Sequence, residues 1–289
     1  MKRILITGAM GQLGLALNQL LDLKDEYRVL NTDVQASESN NIIELDISDK
    51  RSVELIVRDF KPDIIINCAA MTAVDLCESK QDKAYQINAL GPKYLAMAAE
   101  ELDAKMIHIS TDYVFNGQAK EAYVETDSPD PINVYGRTKL AGEKLVIDNC
   151  KKSLVIRTAW LYGQGKNFAS TMMRLAKEGK DIKVVDDQHG TPTSARELAK
   201  AIMFLMERES YGTYHASCEG ETTWYEFALK IFEEVGIDVS VKPIPTSQYP
   251  TPALRPMNSV LDNKRLREEH GYYMKTWEDA FQEFAKIIK

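Results

Sequence analysis

Within NVYGRTKLAGEK, residues 133–144, a tyrosine and a lysine stand four positions apart, Tyr135 and Lys139. On a helix that spacing puts both side chains on one face, with Cβ atoms about 5–6 Å apart. A free phenol, with a pKa of about 10, exchanges protons sluggishly near neutrality. An ammonium one turn away favours the phenolate, and a positive cofactor ring would add to the effect. Tyr135 could then protonate a ketone oxygen while hydride arrives at the carbon. Lys139 could also bind nicotinamide ribose hydroxyls. The pattern alone decides nothing, because Tyr162 and Lys166 repeat it. Context separates the two. YGQGK carries two glycines in three positions and reads as a loop, whereas YGRTKLAGEKLVI continues as a helix. Gly136 and Gly142 each cost that helix about 1 kcal/mol against alanine. The expected compensation is a close approach of the helix to the sheet and to a cofactor.

A third group must hold the substrate oxygen. KMIHIS reads as a strand and ends in Ser110-Thr111-Asp112-Tyr113. A hydroxyl at that strand end faces the same crevice; Thr111 is the first candidate and Ser110 the second, although such residues often only cap turns. The cofactor signal lies at the N-terminus. RILIT runs into Gly8-Ala9-Met10-Gly11-Gln12-Leu13-Gly14, a G-x-x-G-x-x-G turn between a strand and a helix. Glycines there permit a tight turn, close approach of backbone to a pyrophosphate, and close helix–strand packing. The helix N-terminus offers free N–H groups and a positive dipole end. Asp33, at the end of the second strand, can accept from the adenosine ribose hydroxyl, which favours NADH over NADPH. Asp46 and Ile47 end the third strand, placed to contact adenine. Asn67-Cys68-Ala69-Ala70 end the fourth with small residues that leave room for a ligand.

These groups need a scaffold. Short, continuously apolar runs at residues 3–7, 28–32, 42–45, 63–68, 105–110 and 153–159 suit strands covered on both faces. Helical stretches such as SVELIVRDF and AYQINALGPKYLAMAAEEL lie between them. This order predicts an α/β fold, a doubly wound parallel (Rossmann) sheet with a smaller C-terminal α/β substrate lobe. The expected division is residues 1–159 and 186–218 for the dinucleotide-binding domain, and 160–185 and 219–289 for the substrate lobe. The proline-rich segment 243–256 reads as a rigid surface loop.

Composition excludes several classes. The 289 residues are 44% hydrophobic and 27% charged, with a net charge of −7 and no basic stripe, so nucleic acid is a poor partner. Cys68, Cys77, Cys150 and Cys218 form neither a C-x-x-C nor a zinc spacing, which fits a reducing compartment. No apolar run reaches the roughly 20 residues that span a bilayer. A cytoplasmic protein without a membrane partner is expected.

The glycine turn, NCAA, STDYVF and Y-x-x-x-K, in that order, resemble the extended short-chain dehydrogenase/reductase superfamily. ITGAMGQLG, PDIIINCAAMTAVDLCES, IHISTDYVFNG, NVYGRTKLAGE, IRTAWLYG, DDQHGTPT and TPALRPMNS resemble, more narrowly, the dTDP-4-dehydrorhamnose reductase family, over nearly the whole chain. That resemblance implies NADPH- or NADH-dependent reduction of the C4 ketone of a deoxythymidine-diphosphate 6-deoxy sugar. It implies Thr111, Tyr135 and Lys139 as the catalytic trio. Gly11, Gln12, Leu13, Asp33, Asp46, Ile47, Ala70, Met71, Thr72 and Ile109 would line the cofactor. Asp112 and Trp160 would touch the sugar, with Arg255 near the diphosphate. Dehydratases of the superfamily carry T-D-E where this chain has Thr111-Asp112-Tyr113, which argues against dehydration. Some members dimerise through magnesium held by glutamates. Here Leu15-Ala16 and Arg196 occupy those stretches, so no bridging magnesium is expected, and the chain should be a monomer or a dimer without a metal bridge. The alternatives are a related nucleotide-sugar epimerase or reductase, and a non-catalytic NADP-binding regulatory subunit.

Overall fold

The computed structural model describes residues 1–37, 39 and 41–288. The first half alternates as β1 (Lys2–Thr7), α1 (Gln12–Leu21), β2 (Tyr27–Asp33), β3 (Ile42–Glu44), α2 (Lys50–Phe60), β4 (Ile64–Asn67), α3 (Val74–Ser79), α4 (Gln81–Tyr85), α5 (Gly91–Glu101), β5 (Lys105–Thr111), α6 (Val134–Asn149) and β6 (Ser153–Thr158). There follow β7 (Leu161–Tyr162), α7 (Phe168–Lys177), β8 (Ile182–Val185), β9 (His189–Gly190), β10 (Thr193–Ser194), α8 (Ala195–Met206), β11 (Gly212–His215), β12 (Thr222–Thr223), α9 (Trp224–Val235), β13 (Val241–Ile244), α10 (Lys264–His270) and α11 (Trp277–Ile288).

Seven strands form one parallel sheet in the order β11-β6-β5-β4-β1-β2-β3. Successive strand side chains face opposite sides of a sheet, and here both sides are dry. Ile4, Ile6, Ile66, Ile107 and Ile156 pack against Leu17 of α1 and Leu198, Ile202 and Leu205 of α8. Leu5, Ile65, Met106 and Val155 pack on the other face against Val53, Leu95, Ala99 and Val146 of α2, α5 and α6. The continuous apolar runs are thus explained: no position of β4, β5 or β6 is exposed, and in β1 the four residues Ile4–Thr7 are buried. The chain reverses direction across the sheet between β1 and β4, and the carboxyl ends of these strands open a crevice, the usual ligand site of such sheets.

A third core lies outside the sheet. Tyr162, Met172, Phe227, Ile231, Trp277 and Phe281 bring α7, α9 and α11 together. The proline-rich segment is only partly a loop. Val241–Ile244 is a strand paired in parallel with β8, with Pro243 opposite Val184. The ladder has two strands only, so β13 is an edge, where a missing N–H is tolerated. The stretch read as one long helix through AYQINALGPKYL is also broken. Gln86–Leu90 forms a π-helical turn, and Gly91 N–H reaches back five residues to Gln86 O. Pro92, which has no N–H, begins the following helix where none is needed. Among the described residues no helix is long and apolar enough to cross a membrane.

Candidate active site

A cleft of about 910 Å³ opens over the carboxyl ends of β1, β2, β4, β5 and β6. Its floor begins at the glycine turn. Gly8 has φ 69°, and a Cβ there would stand 2.7 Å from Ala69 N. A Cβ on Gly14 would stand 2.5 Å from Gly8 O. Both positions therefore exclude side chains. Gly11 begins α1 without any side-chain cap, so the first helical N–H groups are free for an anion. Asp33 closes the far end. Its carboxylate accepts from Met10 N–H at 3.0 Å and from Val34 N–H at 2.8 Å, which ties the turn to β2. Asp46 accepts from Ser48 N–H at 2.9 Å and Ser48 Oγ at 2.7 Å, while Ile47 is buried against Gly91. This cradle fits a dinucleotide: the turn admits backbone-close phosphates, and the Asp33 oxygens keep lone pairs for ribose.

Across the cleft, α6 is started by Asn133, whose side chain accepts from Gly136 N–H at 2.8 Å and donates to Leu254 O at 2.8 Å. Tyr135 and Lys139 line the cleft from one face of this helix. The Tyr135 ring meets Tyr113 edge-on, with centroids 5.7 Å apart. Burial raises the Tyr135 pKa, and the hydrogen bond with Thr111 opposes the rise. Lys139 is 2% exposed; its ammonium donates to Ile109 O at 2.6 Å. Burial pushes it down to about 8 against the pull of Glu143 and Cys68. The expectation that Lys139 turns Tyr135 toward phenolate is therefore corrected. The ammonium is anchored on the β5 backbone, burial dominates both groups, and the phenol is held protonated, the form a proton donor needs.

The two helix glycines also act differently from the expectation. A Cβ on Gly136 would lie 2.0 Å from Tyr113 O, and one on Gly142 2.2 Å from Asn88 O. The close approach is to the turn after β5 and to the π-helical turn. Only His108 Nε2, 3.5 Å from the Gly142 position, belongs to the sheet.

Thr111 Oγ1 donates to Asp112 Oδ1 at 2.8 Å and accepts from Tyr113 N–H at 3.2 Å. Ser110 donates instead to Glu143, which also holds Arg157 through Nε at 2.9 Å and Nη2 at 2.7 Å. That buried pair fixes β6 to α6 and commits the Ser110 proton. Asp112 is 3% exposed, and its Oδ2 has no partner. Burial raises the Asp112 carboxyl to about 6, against hydrogen bonds from Thr111 and Ser259. Thr158 Oγ1, also unpartnered, lines the same cleft. Trp160 has φ 44°, a strained conformation for a bulky residue. It is held by a stack on Trp224 (centroids 3.5 Å apart, planes 7° apart), by Nε1 donating to Ser259 Oγ at 3.2 Å, and by Gly190, where a Cβ would strike the indole.

Residues 1–289 match the sequence model of a family described as the RmlD substrate binding domain. The chain belongs to the RmlD family. It is 41% identical over 287 residues to the dTDP-4-dehydrorhamnose reductase of Salmonella typhimurium, covering 95% of this chain and 94% of that protein. The solved dTDP-4-dehydrorhamnose reductase of Clostridium acetobutylicum has a TM-score of 0.94 and 45% identity, with 99% of each chain covered. That of Bacillus anthracis, in complex with NADP, has a TM-score of 0.93 and 40% identity, with 100% of each chain covered.

In this RmlD-family chain the cleft brings together Gly8, Gly11, Gln12, Leu13, Gly14, Asp33, Asp46, Ile47, Ala70, Thr72, Ile109, Thr111, Asp112, Tyr135, Lys139 and Trp160. Two sequence-identified residues lie outside its lining. Met71 exchanges hydrogen bonds with the Asn88 side chain, at 2.8 and 3.2 Å, and packs with Cys77, Ala84 and Val134. Arg255 pairs with Asp75 at 3.0 Å and donates to Ala253 O at 3.0 Å. The cleft also takes in residues that sequence reasoning missed, including Lys83, Thr158, Gln164, Lys166 and Trp224. Lys166 belonged to the dismissed second Y-x-x-x-K. Its partner Tyr162 is buried in the third core, so the two do not act as a pair. Trp224 at the first turn of an amphipathic helix gave no signal of its own. Leu15, Ala16 and Arg196 share a separate groove of about 290 Å³. Among the described residues no group of three or more His, Cys, Asp or Glu is placed to hold a metal ion.

Proposed function

We propose that the protein reduces the C4 ketone of dTDP-4-dehydro-L-rhamnose to dTDP-L-rhamnose, using NADPH or NADH. The observation that carries this reading is the placement of Thr111, Tyr135 and Lys139 in one cleft with the glycine turn, in a chain of the RmlD family. The reduced nicotinamide supplies the hydride. Tyr135, kept neutral by burial, donates the proton to the substrate oxygen, and Thr111 holds that oxygen beside it. Lys139 holds the nicotinamide ribose, and the helix start at Gly11–Leu13 binds the pyrophosphate. Asp112 accepts from a sugar hydroxyl through its unpartnered Oδ2, Trp160 covers the sugar ring, and Arg255 turns from Asp75 to the diphosphate.

The protein acts without a bridging magnesium, as a monomer or a dimer built another way, because Leu15, Ala16 and Arg196 offer no carboxylate. Sedimentation with and without chelator should be identical. The deciding assay follows coenzyme oxidation with the dTDP 4-keto sugar and with a UDP 4-keto sugar. Turnover with the first and not the second is expected. Tyr135→Phe should lower kcat by about 10²- to 10⁴-fold while retaining coenzyme binding. Turnover only with the UDP compound would point to a related reductase instead, and no turnover with an intact coenzyme site would point to a regulatory subunit.

A further inference from the structure

His108 lies at the centre of β5, fully buried, and no step above uses it. Its protonation is dictated by a chain of hydrogen bonds that begins on β1. Ala69 N–H, which can only donate, points to Asn67 Oδ1 at 3.1 Å. Thr7 Oγ1 donates to the same oxygen at 2.7 Å. The Asn67 amide is therefore oriented, and its Nδ2 faces His108 Nδ1 at 3.0 Å. An amide NH₂ only donates, so Nδ1 must present a lone pair. A neutral imidazole with a bare Nδ1 carries its proton on Nε2. The doubly protonated ring is excluded by the same amide; burial and, after it, the neighbouring ammonium also hold the His108 pKa well below its ordinary value. That Nε2 faces Lys139 Nζ at 3.4 Å.

We propose that His108 is a positioning residue of this site: locked as the Nε2–H tautomer, it shows Lys139 a donor instead of an acceptor and turns the lysine protons toward the cleft. A lysine ammonium has three N–H bonds. One is held by Ile109 O at 2.6 Å, His108 accepts none, and the other two are left for ligands. The facing N–H also disfavours the ammonium, in the same direction as burial. The other groups around Nζ are Glu143 and Tyr135, one turn either way on α6, and Cys68 at the end of β4. Glu143 favours the charge but is shared with Arg157 and Ser110. Cys68 is pushed up to about 12 by burial and stays a neutral thiol. His108 thus lowers the lysine where Glu143 raises it.

Only the coenzyme arm of the test rests on the function proposed above. The first arm is NMR of the ¹⁵N-histidine-labelled protein without ligands. The chain has four histidines, and His108→Gln removes one set of signals and assigns it. His108 should be an Nε2–H ring from about pH 6 to about pH 9. An Nδ1–H ring, or protonation in that range, overturns the inference. The second arm is NADH binding by calorimetry. With Lys139 titrating at about 8, affinity should fall about tenfold between about pH 7 and pH 9. A second variant, His108→Leu, takes away the N–H that faces Lys139. An upward move of one unit would shrink that fall to about twofold. An unchanged fall in the variant, with only a uniform loss of affinity or stability, refutes the positioning role. If NADH does not bind at any pH, the coenzyme reading fails, and the NMR arm alone decides the inference.

Discussion

Gly136→Ala separates local helix preference from site geometry. On an open helix this change should stabilise by about 1 kcal/mol. Here the new Cβ would stand 2.0 Å from Tyr113 O, whereas ordinary contact begins at 3.4 Å. The start of α6 or the Asp112–Val114 turn must therefore yield by about 1.4 Å. Both carry the proposed chemistry: Tyr135 precedes the glycine, and Thr111 caps the turn by accepting from Tyr113 N–H. A displacement near 1 Å at reacting groups costs about 10²-fold in rate, and overpacking costs about 1–3 kcal/mol. The expected result is a kcat lower by about two orders of magnitude and a melting temperature lower by a few degrees, about 2–4 °C per kcal/mol. Coenzyme affinity should change less, because the glycine turn and Asp33 lie across the cleft. Steady-state kinetics, calorimetric coenzyme binding and thermal unfolding test this together. A variant that melts higher and keeps kcat within about twofold would refute the packing argument.

Three further outcomes are expected. Asp112, whose carboxyl burial raises to about 6, should give kcat/KM an acid limb: activity falls as the carboxylate takes a proton. Asp112→Asn should remove that limb and lower the plateau about tenfold or more; a limb that persists in the variant would assign it elsewhere. Asp33→Ala should weaken NADH more than NADPH, read as the ratio of their dissociation constants, since it removes the ribose acceptor and the negative charge against a 2′-phosphate; an unchanged ratio would show that another group selects. Lys105, 7% exposed, donates to Leu205 O and Arg208 O at the end of α8. Lys105→Met should cost about 1–3 kcal/mol in denaturant unfolding by leaving those carbonyls unpaired. Burial pushes the Lys105 ammonium down to about 8, below its unfolded value of about 10.4. Between those values the unfolded chain binds more protons, so this group makes wild-type stability rise with pH there, and the variant should lose that slope.

The large sheet was legible because its physics is one-dimensional. Ile64–Ile66 and Ile4–Ile6 are apolar at every position, and only a strand covered on both faces makes use of that. The glycine turn and Y-x-x-x-K were legible because each lies within one turn of chain. What the sequence hid depends on pieces far apart in it. Gly136 reads as a weakness of its own helix until Tyr113 O is seen against it. The π-helical turn carries Asn88, which bridges Met71 and Thr138, a tie that no periodicity announces. The opposition of Lys139 and His108, and the anchoring of Lys139 on Ile109 O, arise only when α6 is laid across β5. They reverse the simple expectation that a nearby ammonium sets the phenol.

The Trp160–Trp224 stack joins segments that belong to different cores. Trp160 follows β6 of the large sheet, and Trp224 begins α9, packed with Phe168 and Phe227. The chain has three tryptophans, and the third, Trp277, is sealed beside Phe227. Two of the three indoles thus sit in one stack at the mouth of the cleft, so a ligand that parts or covers them should change the intrinsic emission, readable without any attached dye.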